Sequence, residues 1–387
     1  VFSARTRWDR TANRLARLLA EKRRGGGALL DLTESNPTRA ALPYPEDLLL
    51  PLADPGGRRY DPTPTGLREA REAVAADYAR RGAAIDPGRI VLTASSSEAY
   101  ALLFKLLCDP GDAVLVPRPS YPLFDFLARL ESVEVFRYPL RYDGTWSLDL
   151  EALAAAVTPR TRAVVVVHPN NPTGSYVKRA EAERLAGLCA ERGLALIADE
   201  VFADYAIAPA PDRAGSFAAD GPALAFALGG LSKSCGLPQL KLGWIAVAGP
   251  GGPREEALAR LEIVADTYLS VGTPVQRALA ALLARLPELQ APIARRIHEN
   301  RLRLAAAVAD TPASLLGLEG GWYAALQVPR TLTEEERVLR LLAERDVLVH
   351  PGYFFDFEAE AFLVLSLLPP PQAFAAAVTR MVADLVV

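Results

Sequence analysis

Between residues 90 and 248, short apolar runs alternate with stretches of helical periodicity, and this alternation constrains the fold more than any other feature of the chain. The apolar runs cover 90–93, 113–117, 133–140, 163–168, 194–199, 223–228 and 242–248, and the helical stretches 97–107, 121–130, 148–157 and 179–192. Strands that read as unbroken Val, Ile, Leu and Ala must be covered on both faces, and intervening helices provide that cover. The pattern therefore predicts an α/β fold: a three-layer α/β/α large domain around a mostly parallel mixed sheet. In such sheets a ligand lies beyond the carboxyl ends of the strands.

The flanks differ. A helical pattern over 8–24 is stopped by Gly25-Gly26-Gly27, a short strand follows at 29–33, and a Pro-rich connector leads to a helix at 68–81. Long helices run from 254 to about 309. The tail mixes strands (322–328, 347–350, 362–368) with helices (333–344, 371–385). With 387 residues the chain exceeds what one core usually serves. The expected division is an N-terminal segment, 1–45, packing with a small α+β domain at 286–387, and a large domain at 46–285.

Composition narrows the function by exclusion. Lys and Arg number 43 against 46 Asp and Glu, which leaves no footprint for a polyanion, so nucleic acid is not an expected partner. No apolar run reaches the roughly 18 residues that cross a bilayer, and the first residues lack a signal-type apolar core, so no membrane association is expected. Three scattered cysteines and three histidines provide neither a disulfide framework nor a metal site. A reducing cytoplasm is the expected compartment.

Five chemically pointed positions fall where predicted strands end. Lys233, in Leu231-Ser232-Lys233-Ser234, stands on a loop between two apolar runs, where partial desolvation lowers an amine's pKa and suits it to attack a carbonyl. A lysine snorkelling from a strand end would look the same. Ser95, Ser96 and Ser97 open a helix and could cradle a phosphate, although N-capping also explains a serine there. Tyr121, held between Pro119 and Pro122, could stack on a flat ring or simply form a turn. Asn171, in a turn-rich Asn170-Asn171-Pro172-Thr173-Gly174, offers an amide. Asp199 ends a wholly apolar strand, where a carboxylate needs a cation or donor. Amine, phosphate cradle, ring, amide and carboxylate together describe a site for pyridoxal 5′-phosphate.

On Asn-Asn-Pro-Thr-Gly, Asp-Glu-Val and Ser-Lys followed eight residues later by a cation, the chain resembles the class I/II aminotransferases of the aspartate aminotransferase superfamily, the enzymes of fold type I. The likeness runs through almost the whole sequence. It implies that Lys233 is the Schiff-base lysine and proton shuttle, Asp199 the partner of the pyridinium nitrogen, Asn171 a donor to the ring hydroxyl and a substrate contact, and Tyr121 the stacking ring. It implies Ser95, Ser96, Ser97, Ser232 and Lys241 around the phosphate. Tyr60, in Tyr-Asp-Pro-Thr-Pro-Thr-Gly, matches a tyrosine that reaches the partner's phosphate, which implies a homodimer with shared active sites.

Departures from the family pattern are as informative. Ser95 replaces a glycine, Gly230 stands where a serine is frequent, and Lys241 replaces a phosphate-binding arginine, exchanging a fork for a point charge. Phe202 replaces a tyrosine that donates to the ring oxygen, and one donor fewer should raise the Schiff-base pKa. Val364 stands where the family's arginine clamps the substrate α-carboxylate. Either another cation takes over or the substrate presents no carboxylate there. Arg39 is one candidate cation, and a solvated loop arginine is the alternative. The expected activity is amino-group transfer between an amino acid or amine and a keto acid by a ping-pong cycle. A lyase, decarboxylase or C–C bond-forming enzyme on the same fold is the alternative that Val364 raises, and a cofactor-binding sensor a third.

Overall fold

A computed structural model describes residues 1–385. After a two-residue strand β1 (Leu30–Asp31), eight strands build the principal sheet: β2 (Ile90–Thr93), β3 (Ala113–Arg118), β4 (Glu134–Tyr142), β5 (Trp146–Leu148), β6 (Thr161–Val167), β7 (Ala195–Asp199), β8 (Ala225–Gly230) and β9 (Gly243–Ala248). Their spatial order is β2-β9-β8-β7-β6-β3-β4-β5. The central pairings, β8·β7, β7·β6, β6·β3 and β3·β4, are parallel, whereas β2·β9, β9·β8 and β4·β5 are antiparallel. Because β2 and β8 both run against β9, β2 points the same way as the parallel set. The carboxyl ends of β2, β8, β7, β6 and β3 therefore share one edge of the sheet.

The central strands are apolar on both faces because helices cover both. Alternation of polar and apolar residues is absent: Ala163, Val164, Val165 and Val166 are all buried, as are Leu196, Ile197 and Ala198. Odd and even positions of β6 fall into two separate clusters, Val165 with Phe104, Phe226 and Ile245 on one side, and Val164 with Leu153, Leu185 and Leu196 on the other. At about 25 cal/mol per Å² of apolar surface, this two-sided burial is the main stabilisation of the sheet.

The tail adds β10 (Ser314–Leu315), β11 (Tyr323–Gln327), β12 (Val347–Leu348), β13 (His350–Pro351) and β14 (Phe362–Ser366). Four of them form an antiparallel sheet ordered β10-β11-β14-β13. The remaining strand, β12, pairs in parallel with β1, Leu30 opposite Val347 and Asp31 opposite Leu348, so the N-terminal segment is hydrogen-bonded to the tail. Leu15 and Leu32 complete the same apolar core as Trp322, Leu365 and Phe374.

Several boundaries differ from the sequence expectation. The first helix starts at Arg14, not residue 8, because the Asn13 side chain caps it by accepting from the Ala16 N–H at 2.7 Å. The helix expected from 121 begins at Phe124, since Tyr121 precedes Pro122 and is thereby excluded from helical geometry. Residues 146–148 form β5, and the helix beyond it starts only at Leu150, with Asp149 as its cap. The loop expected at Lys233 is a single helical turn, Leu231–Ser234.

Candidate active site

The shared edge gathers Ser95–Ser97 beyond β2, Tyr121 beyond β3, Asn171 beyond β6, Asp199 at the end of β7 and Lys233 beyond β8. The Asn171 turn is fixed by Gly174, which has φ +69°, and an added Cβ would lie 2.1 Å from Leu318 Cδ1 and 2.4 Å from the Gly320 carbonyl oxygen. Only glycine provides both that backbone region and that approach. The tail is likewise drawn onto the end of β3: the Ser120 N–H donates to the Phe355 carbonyl at 2.9 Å, and Arg118 Nε donates to the Asp356 carbonyl at 2.8 Å.

Lys233 and Asp199 dominate the electrostatics. Burial pulls the Lys233 pKa down to about 8, and the Asp199 carboxylate only partly opposes this. Lys233 Nζ lies 4.9 Å from the Trp322 ring centroid and 5.3 Å from that of Phe202, two faces that solvate a cation less well than water does. Tyr205 Oη donates to the Lys233 carbonyl at 2.7 Å and fixes the backbone beneath it. Burial likewise pushes Asp199 up to about 6, against the lowering effects of the Val201 N–H, the Tyr100 hydroxyl and Lys233. The site thus holds an amine and a carboxylate each short of charge compensation.

Other expected residues take the following places. Asn171 is buried, and its Oδ1 has no hydrogen-bond partner among the described residues. Ser95 caps the helix Ser96–Leu107 by accepting from the Glu98 N–H at 3.2 Å, which explains its hydroxyl locally. Ser96 and Ser97 are half-buried, and neither their N–H groups nor their hydroxyls are engaged by the described residues. Ser232 is half-buried on the Lys233 turn, and Lys241 is exposed in a left-handed conformation with φ +53°. Tyr121 is half-exposed, whereas Tyr60 is 74% exposed beside Tyr268 and Gln276. Phe202 is buried edge-on against Trp322, with centroids 5.2 Å apart.

Lys233 also lines a cavity of about 350 Å³ whose wall is the N-terminal segment, including Asp31, Glu34, Ser35 and Asn36. Arg39 lies beyond that wall, exposed. Val364, expected at a substrate-contacting position, is wholly buried in β14, paired with Ala325 and His350. Nor does His350 replace the missing cation, since burial lowers its pKa to about 4.

Three contributors escaped sequence reasoning. Tyr100 Oη donates to Asp199 Oδ2 at 3.1 Å, and only its polar tip on the apolar face of a buried helix hinted at this. Trp322, in the bend before β11, and Tyr205, in a loop, reach Lys233 through contacts that only the tertiary fold creates.

Residues 27–377 match the family described as aminotransferase class I and II, and the chain belongs to that family. It is a pyridoxal 5′-phosphate-dependent aminotransferase with the aspartate aminotransferase architecture. Similar proteins include glutamate-pyruvate aminotransferase AlaA of Escherichia coli (strain K12), 26% identical over 86% of this chain and 84% of that protein. An S-alkyl-thiohydroximate lyase of Arabidopsis thaliana is 33% identical over 59% of this chain and half of that protein. A crystal structure of an aminotransferase from Escherichia coli superposes with a TM-score of 0.87 at 24% identity, covering 100% of this chain and 98% of that one, and shares the fold. The residues fit the cofactor: a desolvated amine, a buried carboxylate lacking a full counter-charge and open donors at a helix start.

Proposed function

We propose that Lys233, Asp199, Asn171 and Tyr121 form the catalytic centre of this aminotransferase, with Ser95, Ser96, Ser97, Ser232, Lys241 and Phe202 around the cofactor. The observation that carries this is the Lys233 amine, its pKa lowered to about 8, set opposite a carboxylate raised to about 6 at the carboxyl edge of the sheet. Bound pyridoxal 5′-phosphate supplies an aldehyde carbon and a conjugated ring that accepts the electrons of the donor's Cα–H bond. Lys233 Nζ would hold the cofactor through its aldehyde carbon and, as a free amine, would take the donor's α-proton and give it back. Asp199, ionised, would hold the ring nitrogen in its protonated form. Asn171 would donate to the ring oxygen, and Tyr121 would cover the ring face and exclude water.

Across two half-reactions the donor's C–N bond becomes C=O with oxygen from water, and the acceptor's C=O becomes C–N with loss of water. The two are oxidised and reduced in equal measure, so no external oxidant is needed. The acidic wall at Asp31 and Glu34 and the buried Val364 support donors that do not rely on a guanidinium at residue 364. A panel of single amino acids and amines tests this. Release of one keto acid or aldehyde per site from wild type, and none from Lys233→Ala, is expected; release by Lys233→Ala would refute the assignment. Elimination products in place of a keto acid would favour the lyase reading, which the match to a thiohydroximate lyase and Val364 support.

We further propose a homodimer in which the exposed Tyr60 enters the partner's site, a chain divided at about 45 and 285, and a cytoplasmic location. Among the described residues the cysteines are unpaired, and no helix is long and apolar enough to cross a membrane. Light scattering that gives a monomer mass at micromolar concentration would refute the dimer.

A further inference from the structure

We infer that Tyr100 is a positioning residue for the cofactor: its hydroxyl, 3.1 Å from Asp199 Oδ2, keeps that carboxylate ionised and oriented toward the ring nitrogen. This rests on the proposal that Asp199 binds that nitrogen.

The geometry leaves Tyr100 little freedom. It is 3% exposed, with its ring edge-on to Phe124 at 5.3 Å and tilted against Phe104 at 5.9 Å. Packing therefore fixes the ring, and the hydroxyl is delivered to one carboxylate oxygen. The other oxygen, Oδ1, accepts from the Val201 N–H at 3.1 Å. Phenol and backbone amide both donate to the carboxylate here, and donation to the charged form favours it over the acid. Burial and the neighbouring carboxylate hold the phenol protonated well above its ordinary range, so it stays a donor throughout working pH.

The position on the helix matters as much. Tyr100 is four residues, about one turn, beyond Ser96, at the start of the helix that opens with the proposed phosphate cradle. One rigid element thus presents open donors at its first turn and braces Asp199 with its second.

The charged and titratable groups that face Asp199 are few. They are Tyr100 from this helix, Lys233 from the turn after β8, and Glu200 beside it in the chain, with Tyr138 behind Tyr100. Glu200 is itself tied to Ser216 Oγ at 2.7 Å and the Phe217 N–H at 2.6 Å, so it cannot substitute for a donor. Removing the phenol leaves the Val201 amide as the sole donor hydrogen-bonded to the Asp199 carboxylate among the described residues.

Tyr100→Phe keeps the ring and deletes the donor. Dissociation constants for pyridoxal 5′-phosphate, measured by tryptophan fluorescence on cofactor-free protein between pH 5.5 and 8, are compared as the ratio of variant to wild type, which cancels the ligand's own ionisations. With the donor gone, Asp199 ionises about one pH unit higher, and the ratio rises about sevenfold from pH 8 to pH 5.5. A ratio that is flat with pH, whether at unity or at a uniform loss, would overturn the inference and leave Tyr100 a packing residue. Incorporating 3,5-difluorotyrosine at position 100, a stronger donor of nearly the same shape, should move the ratio the opposite way. This second measurement decides the matter if the phenylalanine variant loses its thermal transition. Asp199→Asn separates the two levels: wild-type affinity in that variant refutes the role of Asp199, whereas lost affinity together with a flat Tyr100→Phe ratio refutes only the role of Tyr100.

Discussion

Replacing Lys233 by methionine should stabilise the cofactor-free protein, and the size of the gain can be worked from the site. Burial lowers the folded-state pKa from 10.5 to about 8. Below pH 8 the unfolded chain holds this proton with less penalty than the folded one, so the lysine costs stability there. The cost fades as pH rises through 10.5, where the amine is neutral in both states. At 1.36 kcal/mol per pH unit the full difference is about 3 kcal/mol. The side chain keeps some exposure, and solvent screening reduces this to about 2 kcal/mol. Methionine is of similar length and packs its thioether against Phe202 and Trp322. An unfolding entropy of about 2.1 cal/mol/K per residue over this length converts that energy into a rise in Tm of about 2–3 °C at pH 7. Differential scanning calorimetry of cofactor-free wild type and Lys233→Met at pH 7 and pH 10 measures it. The gain should shrink at pH 10 to a third or less. Equal Tm values at pH 7, or a gain that grows with pH, would refute the account of a strained, desolvated amine.

Three other substitutions probe the frame around that amine. Val364→Arg buries an unpaired guanidinium in β14 and should cost about 3–5 kcal/mol, seen as a lowered urea midpoint; a soluble variant of unchanged stability would show that the strand still opens onto the site. Gly174→Ala forces a Cβ into Leu318 and the Gly320 carbonyl and should cost about 1–3 kcal/mol by chemical denaturation, together with weaker cofactor binding, because the Asn171 turn moves with it. Phe202→Tyr restores a ring-oxygen donor, and a spectroscopic titration should place the Schiff-base pKa about one pH unit below that of wild type; an upward shift contradicts the reasoning.

The sheet was readable because its chemistry is one-dimensional. Residues 163–167 are apolar at every position, since each side of β6 meets a covering helix, and the alternation of such runs with helical stretches marks a sheet covered on both faces. Strand ends could then be read as an edge, and that edge groups Lys233, Asp199 and Asn171. Starts of helices were less readable. Asn13 and Asp149 act through single side-chain caps that periodicity does not register, and Pro122 overrides an apolar pattern. The surroundings of the amine were invisible for a different reason. Trp322 and Tyr100 sit 89 residues after and 133 residues before Lys233, and only the approach of the tail and of the helix Ser96–Leu107 brings them near.

The two hydrogen-bonded residue pairs of β1 and β12 tie the wall of the amine's cavity to the far end of the polypeptide. Glu34, Ser35 and Asn36 begin only three residues after the last paired position, Asp31. A truncation that reaches Leu30 therefore removes the strand that holds one wall of the Lys233 cavity, and one that reaches Leu15 already opens the apolar core. Grafting substrate preference between relatives calls for exchanging residues 30–37 and 347–348 as one cassette, because either half transplanted alone would arrive without the strand that holds it in place.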